Sequence, residues 1–195
     1  MRLVLATHNL HKVGELRDIL GSALAGIELI AYDGPEPVED GATFEANALI
    51  KARAASAYTG LPALADDSGI CVDALGGAPG IHSARYSGTR VDAENVAKLL
   101  QDLGIETNRA AQFVCAAALV IPDETGTSEF VERGTWHGTV LHEPIGAHGF
   151  GYDPIFKPAG LSVSSAELRA DEKNAISHRK LAFSALLAVR GELLR

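Results

Sequence analysis

"ALADDSGICVDALGGAPG", residues 63–80, places two adjacent aspartates where a small apolar run gives way to serine and glycine. "PALAD" (62–66) reads as a short strand, which "GICVDAL" (69–75) can continue. In α/β sheets ligands lie beyond the carboxyl ends of strands, and Asp66 and Asp67 follow "PALA" at such a place. Neighbouring strand side chains point to opposite faces, so one carboxylate at most is expected to face a given site. That carboxylate can hold Mg2+, which takes hard oxygen ligands and keeps several waters. Beside a metal-bound water it can also accept a proton. The plainer alternative is a solvated turn in which aspartate bonds its own backbone. The four letters DDSG leave both readings open.

Outward from this stretch the chain alternates strands and helices. "RLVLAT" (2–7) reads as a buried strand, and "NLHKVGELRDIL" (9–20) as a helix with Leu16, Ile19 and Leu20 on one face. "GIELIAY" (26–32) is a second strand, and "DGPEPVEDGAT" (33–43) a loop. Thr43 suits the N-cap of the alanine-rich helix "FEANALIKARAASAY" (44–58). "VDAENVAKLLQDL" (91–103) is helical. "AQFVCAAALVIP" (111–122) and "SEFVERGTWHGTVL" (128–141) read as an antiparallel pair across "DETGT". "EPIGAHGFGYDPIFKP" (143–158) is a glycine- and proline-rich loop, and residues 164–194 hold one or two helices. The expectation is one α/β domain over residues 1–195, with parallel strands early and antiparallel ones later.

Hydrophobic residues make up 47% of the 195, enough for a sizeable core. No apolar run is long enough for a bilayer span, and the start does not read as a signal peptide. Cys71 and Cys115, among small apolar residues, are expected to be reduced and buried, in a cytoplasmic protein. A net charge of −8 argues against a nucleic-acid partner, though a small polyphosphate needs only a few local cations.

Three further stretches can carry chemistry. In "ATHNLHK" (6–12) a buried strand opens through a polar turn into a helix, whose free N–H groups suit phosphate and whose first turn carries Lys12. The alternative is that Thr7 and Asn9 only cap the helix; His8 and His11 read as loop residues, not as a metal pair. In "VEDGATFEANALIKAR" (38–53), Asn47 and Lys51 are four apart and share a helix face, with Glu39 and Asp40 just upstream. They suit a phosphate or carboxylate network, or else a solvated surface. "GFGYDP" (149–154) sets Phe150 and Tyr152 among glycines as rings on which a base can stack. "EKNAISHRK" (172–180) supplies Lys173, Ser177, His178 and Arg179 as donors. Each also has an ordinary reading, as core aromatics and a charged helix face.

In this order, THNLHK, TFEANALIKA, ADDSG, GGAPGIHSARYSG, GFGYDPIF and EKNAISHR resemble the Ham1/RdgB-type family of inosine triphosphate pyrophosphatases, from about residue 3 to about residue 190. The resemblance implies hydrolysis of inosine, deoxyinosine and xanthosine triphosphates to monophosphate and pyrophosphate. It also implies Mg2+, a homodimer, and an elongated mixed β-sheet with flanking helices, in two lobes around a nucleotide cleft. By motif, Thr7, His8, Asn9, Leu10, His11 and Lys12 become the phosphate loop, joined by Asn47 and Lys51. Asp67 becomes the proton acceptor and a metal ligand, with Glu39 assisting the metal, and Ser68 a nucleotide contact. Phe150, Gly151, Tyr152, Asp153, Lys173, His178 and Arg179 become the base-recognition set. One departure is His8, where the family usually carries a small residue. Under this reading Asp67 is aimed from the strand end, while Asp66 faces away or supports it. The rival readings are a Maf-like nucleotide pyrophosphatase and a nucleotide-binding sensor without turnover. No membrane partner is expected.

Overall fold

The computed structural model describes residues 1–21, 26–123 and 126–190. Strand β1 (Arg2–Leu5) buries Leu3, Val4 and Leu5 and pairs in parallel with β2 (Glu28–Ala31) and β3 (Ala63–Val72). Helix α1 (Leu10–Leu20) lies between β1 and β2 in sequence, and α2 (Phe44–Thr59) precedes β3. After α3 (Asp92–Leu103) come β4 (Ala110–Asp123), β5 (Gly126–Val140) and β6 (Phe156–Pro158), then α4 (Ala170–Ile176) and α5 (His178–Arg190). The six strands form one sheet in the order β2-β1-β3-β4-β5-β6. β4 and β5 are sheet neighbours, and two residues of sequence between them are too few for a parallel crossover. β5 and β6 pair antiparallel, with Thr139 opposite Lys157. The class is therefore mixed α/β, parallel at the start of the chain and antiparallel later, as the strand order of the sequence implies.

The chain divides into two compact units. The first comprises Met1–Asp67, Cys115–Gly134 and Arg179–Arg195, and the second Ser68–Val114 and Thr135–His178. The first unit packs Leu3, Leu5, Leu64, Cys115 and Leu119 of the sheet against Leu16 and Leu20 of α1 and Phe183 and Leu186 of α5. Each such side chain, removed from water, contributes about 1.5–3 kcal/mol. The second unit gathers Ile70, Val72, Val96, Leu99, Phe113, Trp136, Tyr152, Ile155 and Phe156. No helix among the described residues is long and apolar enough to cross a membrane.

Three local expectations change. "GICVDAL" does continue the strand, but with no turn at the serine and glycine: β3 runs unbroken through DDSG to Val72, so both carboxylates stand within a strand. Aspartate is disfavoured in strands, but here both side chains have cationic partners that repay their burial. Cys71 is half-buried, whereas Cys115 is buried, and both are free thiols. The loop expected over 143–158 ends early in the short β6, and the turn expected at 123–127 has Glu124 and Thr125 outside the described residues. The end of the chain resolves into two helices broken at Ser177; residues 191–194 of that expectation also lie outside the described residues.

Candidate active site

Alternation along β3 gives the two aspartates separate partners. Asp66, with its side chain fully buried, accepts from Lys12 Nζ at 3.0 Å and from Arg179 Nε at 3.3 Å. Cys115 Sγ stands 4.0 Å from the same Oδ2. Asp67 accepts from Lys51 Nζ at 3.0 Å and from Asn47 Nδ2 at 3.3 Å. Asp66 is thus met from α1 and α5, and Asp67 from α2, each with a lysine.

Asn47 is completely buried and has a second task. Its Oδ1 accepts from Gly41 N at 2.9 Å, which ties the 33–43 loop to α2. A Cβ at Gly41 would lie 2.6 Å from that Oδ1 and 2.8 Å from the Ala46 Cβ, so only glycine permits this approach. The tie brings Glu39 to 3.4 Å from Lys51 Nζ. One ammonium therefore sits against two carboxylates, Glu39 and Asp67. Asp40, its neighbour, is exposed.

The two lysines are tuned in opposite directions. Burial pushes the Lys12 ammonium below its ordinary range; Lys51 and Arg179 push the same way, and Asp66 opposes them. For Lys51 burial also acts downward, but Asp67, Asp66 and Glu39 outweigh it and the net shift is upward. Lys51 is a fixed cation and Lys12 a hard-pressed one.

The helix start behaves as a capped helix. Asn9 Oδ1 accepts from the N–H groups of His11 and Lys12 at 3.0 and 3.3 Å, and Thr7 Oγ1 accepts from Asn9 N at 3.2 Å. His8 is exposed, its ring centroid 5.4 Å from that of the buried Tyr32. His11 is exposed, and the side chain of Leu10 lies outside the described residues. Ser68 is half-buried on β3.

The expected base-recognition residues divide between the units. Asp153 is a buried staple: its Oδ2 accepts from Phe150 N at 2.9 Å and Lys173 Nζ at 2.5 Å, and its Oδ1 from Ser165 Oγ at 2.8 Å. Gly149, at φ +74°, passes so close that a Cβ there would strike the Asp153 carboxylate. Lys173 Nζ also lies 5.1 Å above the ring of Phe150, which is half-buried. Gly151 N donates to Asp92 Oδ2 at 2.7 Å. Tyr152 is a core residue, not an open platform: it is 5% exposed, its hydroxyl donates to Ser83 O at 2.8 Å, and burial raises its phenol pKa. The His178 ring is buried and lies nearly parallel to that of Phe113, with centroids 4.8 Å apart, and to that of Trp136 at 6.4 Å.

His178 ends the second unit and Arg179 begins the last segment of the first. Arg179 is buried, with Nε on Asp66 and Nη1 on Glu15 at 2.8 Å. Glu15 joins the site without having been expected in it; the only signal in the sequence is its place three residues after Lys12, on the same helix face. Phe113 and Trp136 had no signal beyond their aromatic character.

No group of three or more histidine, cysteine, aspartate or glutamate residues among the described residues is arranged to hold a metal ion. The donor set Glu39–Asp67 suits Mg2+ nonetheless, because that ion uses one or two carboxylates and completes its shell with water and substrate phosphate. Lys51 already occupies a cation position between those carboxylates.

These residues fall in a chain that belongs to the Ham1 family, whose model matches residues 3–189. It is 54% identical over 198 residues to a dITP/XTP pyrophosphatase of Leifsonia xyli subsp. xyli, covering 100% of this chain and 98% of that protein. Among solved structures, the Ham1 protein of Staphylococcus aureus superposes with a TM-score of 0.87 at 38% identity, covering 98% of this chain and 100% of that one. A HAM1 protein of Coxiella burnetii gives 0.88 at 42% identity, covering 98% and 99%.

Proposed function

We propose that this chain is a nucleoside triphosphate pyrophosphatase. It hydrolyses purine nucleoside triphosphates whose base is hypoxanthine or xanthine (ITP, dITP and XTP) to the monophosphate and pyrophosphate, clearing them from the nucleotide pool. The observation that carries the reading is Asp67, a strand carboxylate held by Lys51 and Asn47 with Glu39 on the same ammonium.

A triphosphate brings about four negative charges near neutral pH, and cations must meet them. Lys51, whose pKa is raised, stays charged at any working pH. Lys12, pressed toward neutrality by burial, gains most from an anion beside it, so the triphosphate and the Lys12 proton bind cooperatively. Glu39 and Asp67 would hold Mg2+, which supplies charge neutralisation at the phosphate oxygens. Water attacks the α-phosphorus in line, the bond to the bridging oxygen breaks, and pyrophosphate leaves against Lys51. The Asp67 carboxylate orients the water and takes its proton. Phosphoryl transfer needs positioning and charge stabilisation more than covalent help.

Phe150–Asp153, Lys173, His178 and Arg179 recognise the purine, with Phe150 as the stacking ring. A carbonyl at purine position 6 meets donors, while the amino group of adenine leaves a donor facing a donor, a mismatch of roughly 1–3 kcal/mol. The protein works as one domain over residues 1–195, as a cytoplasmic homodimer without nucleic-acid or membrane partners. A panel of nucleoside triphosphates with Mg2+, read out as pyrophosphate, tests the reading. ITP, dITP and XTP are expected to turn over far faster than ATP or pyrimidine triphosphates. Released orthophosphate, a pyrimidine preference, or binding without turnover would overturn it.

A further inference from the structure

Arg109 is the least expected charge in the molecule. It opens the approach to β4 and is 9% exposed. Buried guanidinium groups normally sit against a carboxylate, because an isolated interior charge is costly. Arg109 instead donates from Nε to Val140 O and from Nη2 to Leu141 O, both at 2.8 Å, while its own carbonyl accepts from Val140 N at 2.9 Å. Its Nη1 is buried too, with no hydrogen-bond partner among the described residues. Among side chains, arginine offers a planar fork of fixed geometry for two neighbouring acceptors, where the ammonium of lysine is a point charge.

The two carbonyls lie where the chain leaves β5 for the glycine-rich loop. Just beyond them the loop is closed at its neck by Leu141 N on Ile155 O at 2.7 Å and Ile145 N on Pro154 O at 2.8 Å. Inside it stand Phe150 and the Asp153–Lys173 staple. Turning two successive carbonyls toward one guanidinium sets the peptide planes at 140–141, and with them the direction in which the loop departs.

We infer that Arg109 is a positioning residue. Through the Val140 and Leu141 carbonyls it holds the neck of the 141–155 loop, and so places Phe150 against the purine. The second half of this rests on the assignment of that loop to base recognition; the first half does not.

Arg109→Met and Arg109→Lys, made in the full chain, separate the halves. Hydrogen exchange followed by mass spectrometry reads the neck directly. In Arg109→Met, amides of 141–155 are expected to exchange on the order of tenfold faster, while those of α1 and α2 keep their rates. Kinetics with ITP and ATP read the consequence: the ITP-to-ATP ratio of kcat/KM falls about tenfold, chiefly through KM for ITP, and Arg109→Lys restores part of both effects. Unchanged protection over 141–155 in a folded variant would overturn the inference. Exchange rising throughout the chain, with both substrates losing alike, would also overturn it, as a purely structural role. If wild-type protein shows no preference for ITP, the functional reading fails instead, and the exchange measurement still decides whether Arg109 holds the neck.

Discussion

The Asp66–Asp67 region of the first unit and the Phe150–Asp153 region of the second are built on different physics. In the first, two lysines, an arginine and four carboxylates meet within hydrogen-bonding or ion-pair distance. In the second, the polar groups mostly hold the loop itself: Asp153 staples Phe150 N and Lys173, Tyr152 is anchored on Ser83, and His178 packs on Phe113. Charge in the first region is arranged before any substrate arrives. The second offers shape, with one half-buried ring and a rigid backbone. On the proposed reading the triphosphate, the same on every nucleotide, uses the former, and the choice among bases the latter.

The sharpest way to break this contrast is inside the first region. Asp67→Asn is expected to lower kcat by ~10²–10⁴, the usual scale for a general base, with the melting temperature little changed. Asp66→Asn should do the reverse. It leaves half-buried Lys12 and buried Arg179 facing a neutral amide, a loss of roughly 3–5 kcal/mol in stability. Urea unfolding and steady-state kinetics on both variants check it; equal losses of activity with equal melting would remove the distinction between the carboxylates.

Lys51→Ala comes next. Calorimetry is expected to show triphosphate binding weakened by about ten- to a hundredfold, the scale of one charge-assisted hydrogen bond, with the monophosphate product nearly unaffected. Equal losses for both ligands would move Lys51 away from the leaving pyrophosphate. Arg179→Ala is a smaller and more informative test. As a proposed donor to the base, its loss is expected to lower the ITP-to-ATP ratio of kcat/KM by about tenfold. Equal losses for ITP and ATP would confine the guanidinium to Asp66 and Glu15.

The smallest effect lies far from either region. Burial and the hydrogen bond to Asp102 push the Tyr86 phenol from 10.0 up to about 12. The folded protein therefore keeps that proton where the unfolded chain has lost it. The contribution is fully present below pH 10 and is lost as pH rises toward 12. The urea midpoint should fall less between about pH 9 and about pH 11 for Tyr86→Phe than for wild type. Parallel slopes would mean that Asp102 does not hold the phenol.

Much of this was legible in the chain itself, because it depends on short range. The i, i+4 spacing of Asn47 and Lys51 put both on one helix face, Thr43 and Asn9 cap α2 and α1 as their types imply, and the strand order required parallel pairing before antiparallel. Six ordered motifs pointed to the family. Tertiary structure decided which charge meets which. Nothing local says that Asp66 takes Lys12 and Arg179 while Asp67 takes Lys51, or that His178 and Arg179 belong to different units. Nor does "NRAAQF" (108–113) announce a guanidinium clamped on carbonyls 31 and 32 residues away. Such partners are set by which elements the apolar faces of α1, α2 and α5 bring to the sheet. A buried charge takes the partner that packing leaves beside it, and packing is a property of the whole chain.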